Sequence, residues 1–494
     1  MENKNQKRRF KRILSRTLIV ITCALCLYGC NTNSNEPAIK RDPQNPVTIS
    51  VWHYYNGSIM NAFEESIKEF NETVGAEQGI IVESYGHGSV IELEKAVMAS
   101  ANKEIGSPEM PEIFASYADT AYMAEKMGLL ANLDDYFTKE EQEEYLDSYI
   151  EEGKIGQNGE LRIFPVAKST EIFMLNDTDW IPFAEANGLT YEDLATVEDI
   201  TRVAELYYNW TDSLTPDVQN DGKSFFGRDS MANFIIIAFK EFDTELFNVN
   251  DGVATIEIKT DVMKKVWDNY YIPYISGYFS AYGRYRSDDT KVGDILAYAG
   301  ATSSAGYFPS EVTTGNKSYP IQAKVLPAPH FKDANKVMVQ QGAGMVVVQS
   351  TPEEESASVE FLKWFTQSQK NIEFAALSGY MPVKKEAVDY NTFKSQIDES
   401  GIVLDEVMDE TIKIAFEEIK ASELYTNKAF DGGAKARAIL ENHLQDKAVA
   451  DREAVLQLIS SGSTYEQAIA QFATEDNFKS WLKDITLQLN EAAK

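Results

Sequence analysis

PVTISVWHYYNG, residues 46–57, is the stretch on which the fold turns. Val47, Ile49 and Val51 alternate with small polar residues and Trp52 continues the run, the pattern of a strand covered on both faces by helices. His53-Tyr54-Tyr55-Asn56 then falls where the chain leaves the sheet. In open α/β sheets the carboxyl ends of the strands form the crevice that receives ligands, so this position suits ring stacking and hydrogen bonding to a small molecule. Trp52 reads equally as core or cleft, and Tyr54 can be read as core. Tyr55 and Asn56 lie beside a turn and are expected to stay partly wet.

Downstream, Met60, Phe63, Ile67, Phe70 and Val74 recur at helical spacing behind Ser58, a candidate N-cap. Residues 79–85 read as a second strand, and Ser89 to Glu92 as a capping box opening a helix. Residues 110–115 give a third strand, followed by a helix that ends at Gly128. Three strand-loop-helix units with short connections predict a βαβ lobe with a parallel sheet. Residues 161–166 and 172–175 are strand candidates around a crossing to a second lobe. Residues 295–301 run as a strand into the small-residue loop Thr302-Ser303-Ser304-Ala305-Gly306-Tyr307, which can approach a ligand closely. Residues 323–327 and 337–349 are expected to return to the first lobe. Thr351-Pro352-Glu353-Glu354 then opens a helix with an N-cap threonine, proline at N1 and glutamate at N3.

Residues 1–29 read as a signal peptide, with seven basic residues before an apolar stretch too short for a stable span. Leu27-Tyr28-Gly29-Cys30 resembles a lipobox, with Tyr28 larger than that pattern prefers, and makes Cys30 the lipidation candidate. Residues 30–45 have the polar, proline-bearing composition of a tether. All three cysteines, Cys23, Cys26 and Cys30, precede the fold, so the domain must be held by its core alone. The leader carries one acidic residue against its seven basic ones, which leaves 39 basic and 76 acidic residues and a net charge of −37. A field of that sign disfavours nucleic acid and anionic membrane surfaces.

Enzyme motifs are weak. His53, His87, His330 and His443 are far apart in sequence and no HExxH occurs, so neither metal nor cofactor is expected. There is no GxSxG elbow, Ser480 to Lys483 is an SxxK without its KTG companion, and Gly342-Ala343-Gly344 lacks a nucleotide-binding continuation.

Taken together, TISVWHYYNG, MPEIFASYADTAYMAEKMGLLANL (110–133), IFPVAKSTEIFMLN (163–176), VLPAPH, GAGMVVVQSTPEEESASVEFLKWFT (342–366) and SGYMPV resemble the family 1 extracellular solute-binding proteins, the maltose-binding-like receptors of ABC importers. The resemblance implies a two-lobe α/β fold of the periplasmic-binding-protein type II class, each lobe a mostly parallel sheet flanked by helices. Its lobes are expected at 46–165 with 323–368, and at 166–322 with 369–494. It implies a non-enzymatic, monomeric lipoprotein on the outer face of the cytoplasmic membrane, passing a carbohydrate to permease subunits. Carried over by position, the ligand residues are Tyr55, Asn56, Tyr117 and Asp119, then Ser303, Ser304 and Tyr307, with Gly342 and Tyr380. Hydroxyls and carboxylates suit a polyol, and aromatic faces cover its C–H surfaces. Asp119 is divided between helix cap and ligand acceptor. A glycerol 3-phosphate or other phosphorylated-polyol receptor is the alternative, with Arg437, Arg284 or Arg286 as its cation. A surface-anchored carbohydrate-active enzyme or adhesin is the alternative of another class.

Overall fold

The computed structural model describes residues 41–494. The signal-peptide and Cys30 expectations lie outside the described residues. Two sheets organise the chain. The first has the strand order Ile80–Gly86, Val47–His53, Ile113–Ser116, Gly344–Val347, Ile163–Phe164. Its first three strands are parallel, with Ile49 beside Val82 and Val51 beside Ile113. Gly344–Val347 is antiparallel to both neighbours, because it arrives from the other sheet. The helix Gly57–Glu72 covers one face through Ile59, Phe63, Ile67 and Phe70. Its N-cap is Asn56 rather than Ser58, so the helix starts two residues earlier than expected, at Gly57, whose φ is +54°. Val74 falls in the next short helix, Val74–Gln78.

The second sheet has the order Ala323–Pro327, Glu171–Asn176, Ala297–Ala301, Phe226–Arg228, and only its last pair is parallel. All of Glu171–Asn176 is buried. Phe173 and Leu175 pack on one face with Trp267, Leu440 and Trp481, while Ile172 and Met174 pack on the other with Phe393 and Phe416. The strand Ala323–Pro327, expected in the first lobe, belongs to this second sheet. Its Val325 is fully buried among the residues around Ile172 and Met174, so that face holds it there.

The return crossing comes later, and the run 337–349 is split. Val337–Val339 pairs with Glu423–Tyr425, and Gly344–Val347 joins the first sheet. The break lies at Gly342, whose φ is +94°; a Cβ there would stand 2.9 Å from the Ala167 carbonyl oxygen. Backbone crowding at the crossing therefore demands glycine. Beside it Lys168 is 1 % exposed. Its ammonium donates to both Glu152 oxygens at 2.8 Å and to the Gly342 carbonyl at 2.9 Å, tying two crossings together.

The helix Pro352–Phe365 starts with the expected reciprocal cap. Thr351 Oγ1 accepts from the Glu354 amide at 3.3 Å, and Glu354 accepts from the Thr351 amide at 3.1 Å. Ser89 caps Val90–Ala101 through the Glu92 amide at 3.2 Å, but that helix shows no reciprocal bond from Glu92.

Candidate functional site: an aromatic cleft between the sheets

The carboxyl end of Val47–His53 delivers Tyr54 and Tyr55 side by side, their ring centroids 5.2 Å apart. Tyr55 is 3 % exposed, its ring against Phe63 at 5.2 Å and Phe374 at 6.0 Å. The expectation that it stays wet is corrected: the turn at Asn56 comes too late to lift Tyr55 off the core. Tyr54 is the ring that reaches the cleft. Its hydroxyl lies 3.4 Å from the Tyr380 hydroxyl and accepts from the Ala343 amide at 3.4 Å. Its ring lies parallel to Tyr117 with centroids 6.4 Å apart. Burial pushes the pKa of Tyr54, Tyr117 and Tyr380 up, so all three remain neutral donors at physiological pH.

Tyr380 is 6 % exposed and stacks on Phe374 at 6.2 Å, so its ring is mostly core while its hydroxyl meets Tyr54. Gly379 before it, at φ +72°, lets the backbone press on Ser303, whose Cα would be 2.9 Å from an added Cβ. Ser303, Ser304 and Tyr307 occupy the short 3-10 helix Thr302–Tyr307 that leaves the second sheet. Ser303 is half-buried, and the Ser304 hydroxyl accepts from buried Tyr298 at 3.3 Å. Exposed Tyr307 donates to exposed Asn56 Oδ1 at 3.5 Å, so residues from the two sheets meet at this end of the cleft. Gly342 lines no open surface; it is buried beneath the crossing.

Asp119 sits in the first turn of the helix Ala118–Lys126, whose N-cap is Tyr117. The capping role is thereby excluded for Asp119. Its Oδ1 is buried with no hydrogen-bond partner among the described residues. Burial raises its pKa to about 6, opposed by the Arg437 charge. Arg437 donates to Asn233 Oδ1, and Asn233 Nδ2 donates to Glu171 at 3.0 Å and to Gln341 at 2.9 Å. Glu171 also holds Arg228 at 3.0 Å. Arg437 was a candidate cation in the sequence, but its partners Asn233, Glu171 and Arg228 were missed, though a signal is there: Asn233 is a polar residue inside MANFIIIAFKE, buried at 2 % exposure. Arg286 is buried between Asp289 and Asp229, which occupy its charge, and Arg284 lies exposed over the Tyr285 ring.

The arrangement offers neutral hydroxyls, aromatic edges, one carboxyl and one guanidinium between two sheets: a recognition surface. Among the described residues no group of three or more His, Cys, Asp or Glu is disposed to hold a metal ion. No described helix is long and apolar enough to cross a membrane.

Comparison with known proteins agrees with this architecture. Solved structures share the fold at low identity. The cyclic α-maltosyl-1,6-maltose binding protein from Arthrobacter globiformis superposes with a TM-score of 0.64 at 16 % identity, over 91 % of this chain and 99 % of that one. UgpB from Mycobacterium tuberculosis, solved with glycerophosphocholine, gives 0.62 at 17 % identity, over 91 % of this chain and 100 % of that one. The Listeria monocytogenes substrate-binding protein Lmo0181, solved with cycloalternan, gives 0.59 at 14 %, over 89 % and 99 %. A sequence search of curated proteins finds no match. The family model for bacterial extracellular solute-binding proteins matches residues 65–398, a span that contains strands of both sheets and both crossings between them, and the chain belongs to that family.

Proposed function

We propose that this protein is an extracytoplasmic receptor that takes a sugar or oligosaccharide into the cleft and delivers it to an ABC permease. The observation that carries the reading is the trio Tyr54, Tyr117 and Tyr380, neutral hydroxyls and ring edges gathered opposite Ser303 and Tyr307. Such a surface bonds a polyol's hydroxyls and covers its C–H faces without imposing charge. Asn56 and Asp119 complete the set as acceptors. The first lobe is then 46–165 with the later strand at 344–347, the second takes 323–327, and a lipid on Cys30 holds a monomer to the outer face of the membrane. Nothing in this reading requires catalysis.

The phosphorylated-polyol reading is favoured by one feature, Arg437. Its guanidinium is held by a neutral amide and forms no ion pair with a carboxylate among the described residues. A thermal-shift screen across mono-, oligo- and phosphorylated sugars, followed by calorimetric titration, tests both. A solute at 100 times its dissociation constant stabilises the fold by about 2.7 kcal/mol. Stabilisation by phosphorylated compounds alone overturns the neutral-sugar reading, and release of reducing sugar from a bound oligosaccharide overturns the receptor reading.

A further inference from the structure

At the end of Val47–His53 the His87 amide donates to the His53 carbonyl at 2.8 Å. Two residues on, the Tyr55 amide turns back to the His53 side chain and donates to Nδ1 at 3.1 Å. An amide can only donate, so Nδ1 carries a lone pair, and the one proton of the neutral ring sits on Nε2. Burial, and to a lesser extent the neighbouring His87, lowers the His53 pKa to about 4, so the ring is neutral at physiological pH.

That proton is costly. Nε2 is buried with no hydrogen-bond partner among the described residues, and His53 as a whole is 1 % exposed. A leucine or phenylalanine would fill the space without an unmet donor, so packing alone does not account for a histidine here. The ring does pack closely. It stacks on Tyr55 with centroids 5.2 Å apart, makes a T-shaped contact with Phe63 at 5.1 Å, and a Cβ built on Gly86 would stand 3.3 Å from its Cε1. What histidine supplies and a hydrocarbon lacks is the acceptor at Nδ1. Tyr54 lies between the two residues that this bond ties together, and its hydroxyl accepts from the Ala343 amide and lies 3.4 Å from the Tyr380 hydroxyl.

We propose that His53 is a positioning residue for the cleft: its Nδ1 fixes the backbone from residue 53 to residue 55 and so sets where Tyr54 presents its ring and hydroxyl. Buried as it is, the imidazole acts through Tyr54 rather than by touching a solute. The purpose of this turn rests on the receptor reading, but its test uses no solute, so the two can fail separately.

The chain has four histidines, so isotopic labelling of their imidazole nitrogens gives a spectrum of four rings, from which His53→Asn identifies His53 by its loss. At neutral pH the wild-type ring should be the tautomer protonated on Nε2. His53→Asn keeps an acceptor that reaches the amide two residues on, as asparagine does in turns, whereas His53→Leu keeps apolar bulk and removes the acceptor. Hydrogen exchange at the Tyr55 amide should therefore stay near wild type in His53→Asn and quicken by about two- to ten-fold in His53→Leu, although asparagine fills less of the space. Tyr54→Phe should lower the melting temperature equally in wild type and His53→Asn, and by less in His53→Leu, where the hydroxyl has already lost its place. Three results overturn the proposal. Nδ1 carries the proton, Tyr55 exchange in His53→Leu matches wild type, or the Tyr54→Phe shift is the same in all three backgrounds. The tautomer is read on the wild-type protein, so it decides even where His53→Leu does not fold.

Discussion

Lys168 concentrates several roles in one buried ammonium, and Lys168→Met separates them. The substitution removes two bonds to Glu152 and one to the Gly342 carbonyl while keeping the side-chain volume. Glu152, whose side chain is 7 % exposed, would retain only Gln340 as a side-chain partner. Stranding a buried charge in this way costs about 3–5 kcal/mol. Removing both charges with Lys168→Met and Glu152→Met strands the Gly342 carbonyl and the Gln340 N–H that faced Glu152, while Gln340 keeps its bond to the Ser148 carbonyl, a loss of about 1–3 kcal/mol. The double variant should therefore be more stable than the single by about 2 kcal/mol, a coupling typical of contacting groups. Urea unfolding read by tryptophan fluorescence and circular dichroism measures both, provided that the two signals change together. A Lys168→Met variant within about 1 kcal/mol of wild type, or a double variant no more stable than the single, refutes the idea that this pair secures the crossings.

Glu241 is buried against the Phe331 amide, and burial raises its pKa from 4.5 to about 8. The folded state therefore holds a proton that the unfolded chain has lost, so this stability is fully present below pH 4.5 and disappears as pH rises through 8. Glu241→Gln should flatten the decline across that window by about 2–4 kcal/mol, whereas parallel wild-type and variant curves rule the group out as its source. Thr351→Ala should cost about 0.5–2 kcal/mol through loss of the reciprocal cap, measured by the urea midpoint at unchanged slope. Tyr380→Ala should destabilise by about 3–5 kcal/mol because its ring fills core, while Tyr380→Phe should keep the fold and weaken solute binding by about 0.5–1.5 kcal/mol; equal calorimetric affinity for Tyr380→Phe and wild type removes its hydroxyl from the site.

What could be read from the sequence follows from how local each signal is. The strand at 47–53, the helix after it and the Thr351 cap are set by alternation, spacing and a four-residue motif, and they stand where expected. The lobe of residues 323–327 could not be read in the same way. Their apolar pattern fits any buried strand, and the choice of the Glu171–Asn176 edge depends on a partner 150 residues away. Tyr54 and Tyr55 were exchanged for a similar reason: both are amphipathic rings beside a turn, they touch one another, and they differ in the distant residues they pack on, Phe374 for Tyr55 and Tyr117 for Tyr54. The break at Gly342 reflects a carbonyl from residue 167, again a distant cause.

The second lobe's core carries a consequence for the order of assembly. Trp267 packs on Trp481 at 5.2 Å, and Leu440, Leu444, Ile485 and Leu489 share its interior with Phe173 and Leu175. The first sheet in turn waits for Gly344–Val347. The second half cannot bury its apolar faces until nearly the whole chain is available, and the first sheet is incomplete before residue 347, so the polypeptide commits to structure late. A chain ending at residue 470 should accordingly remain protease-sensitive throughout its second lobe, and a protease-resistant second lobe in that chain would show that the last helix is an addition to the core rather than its completion.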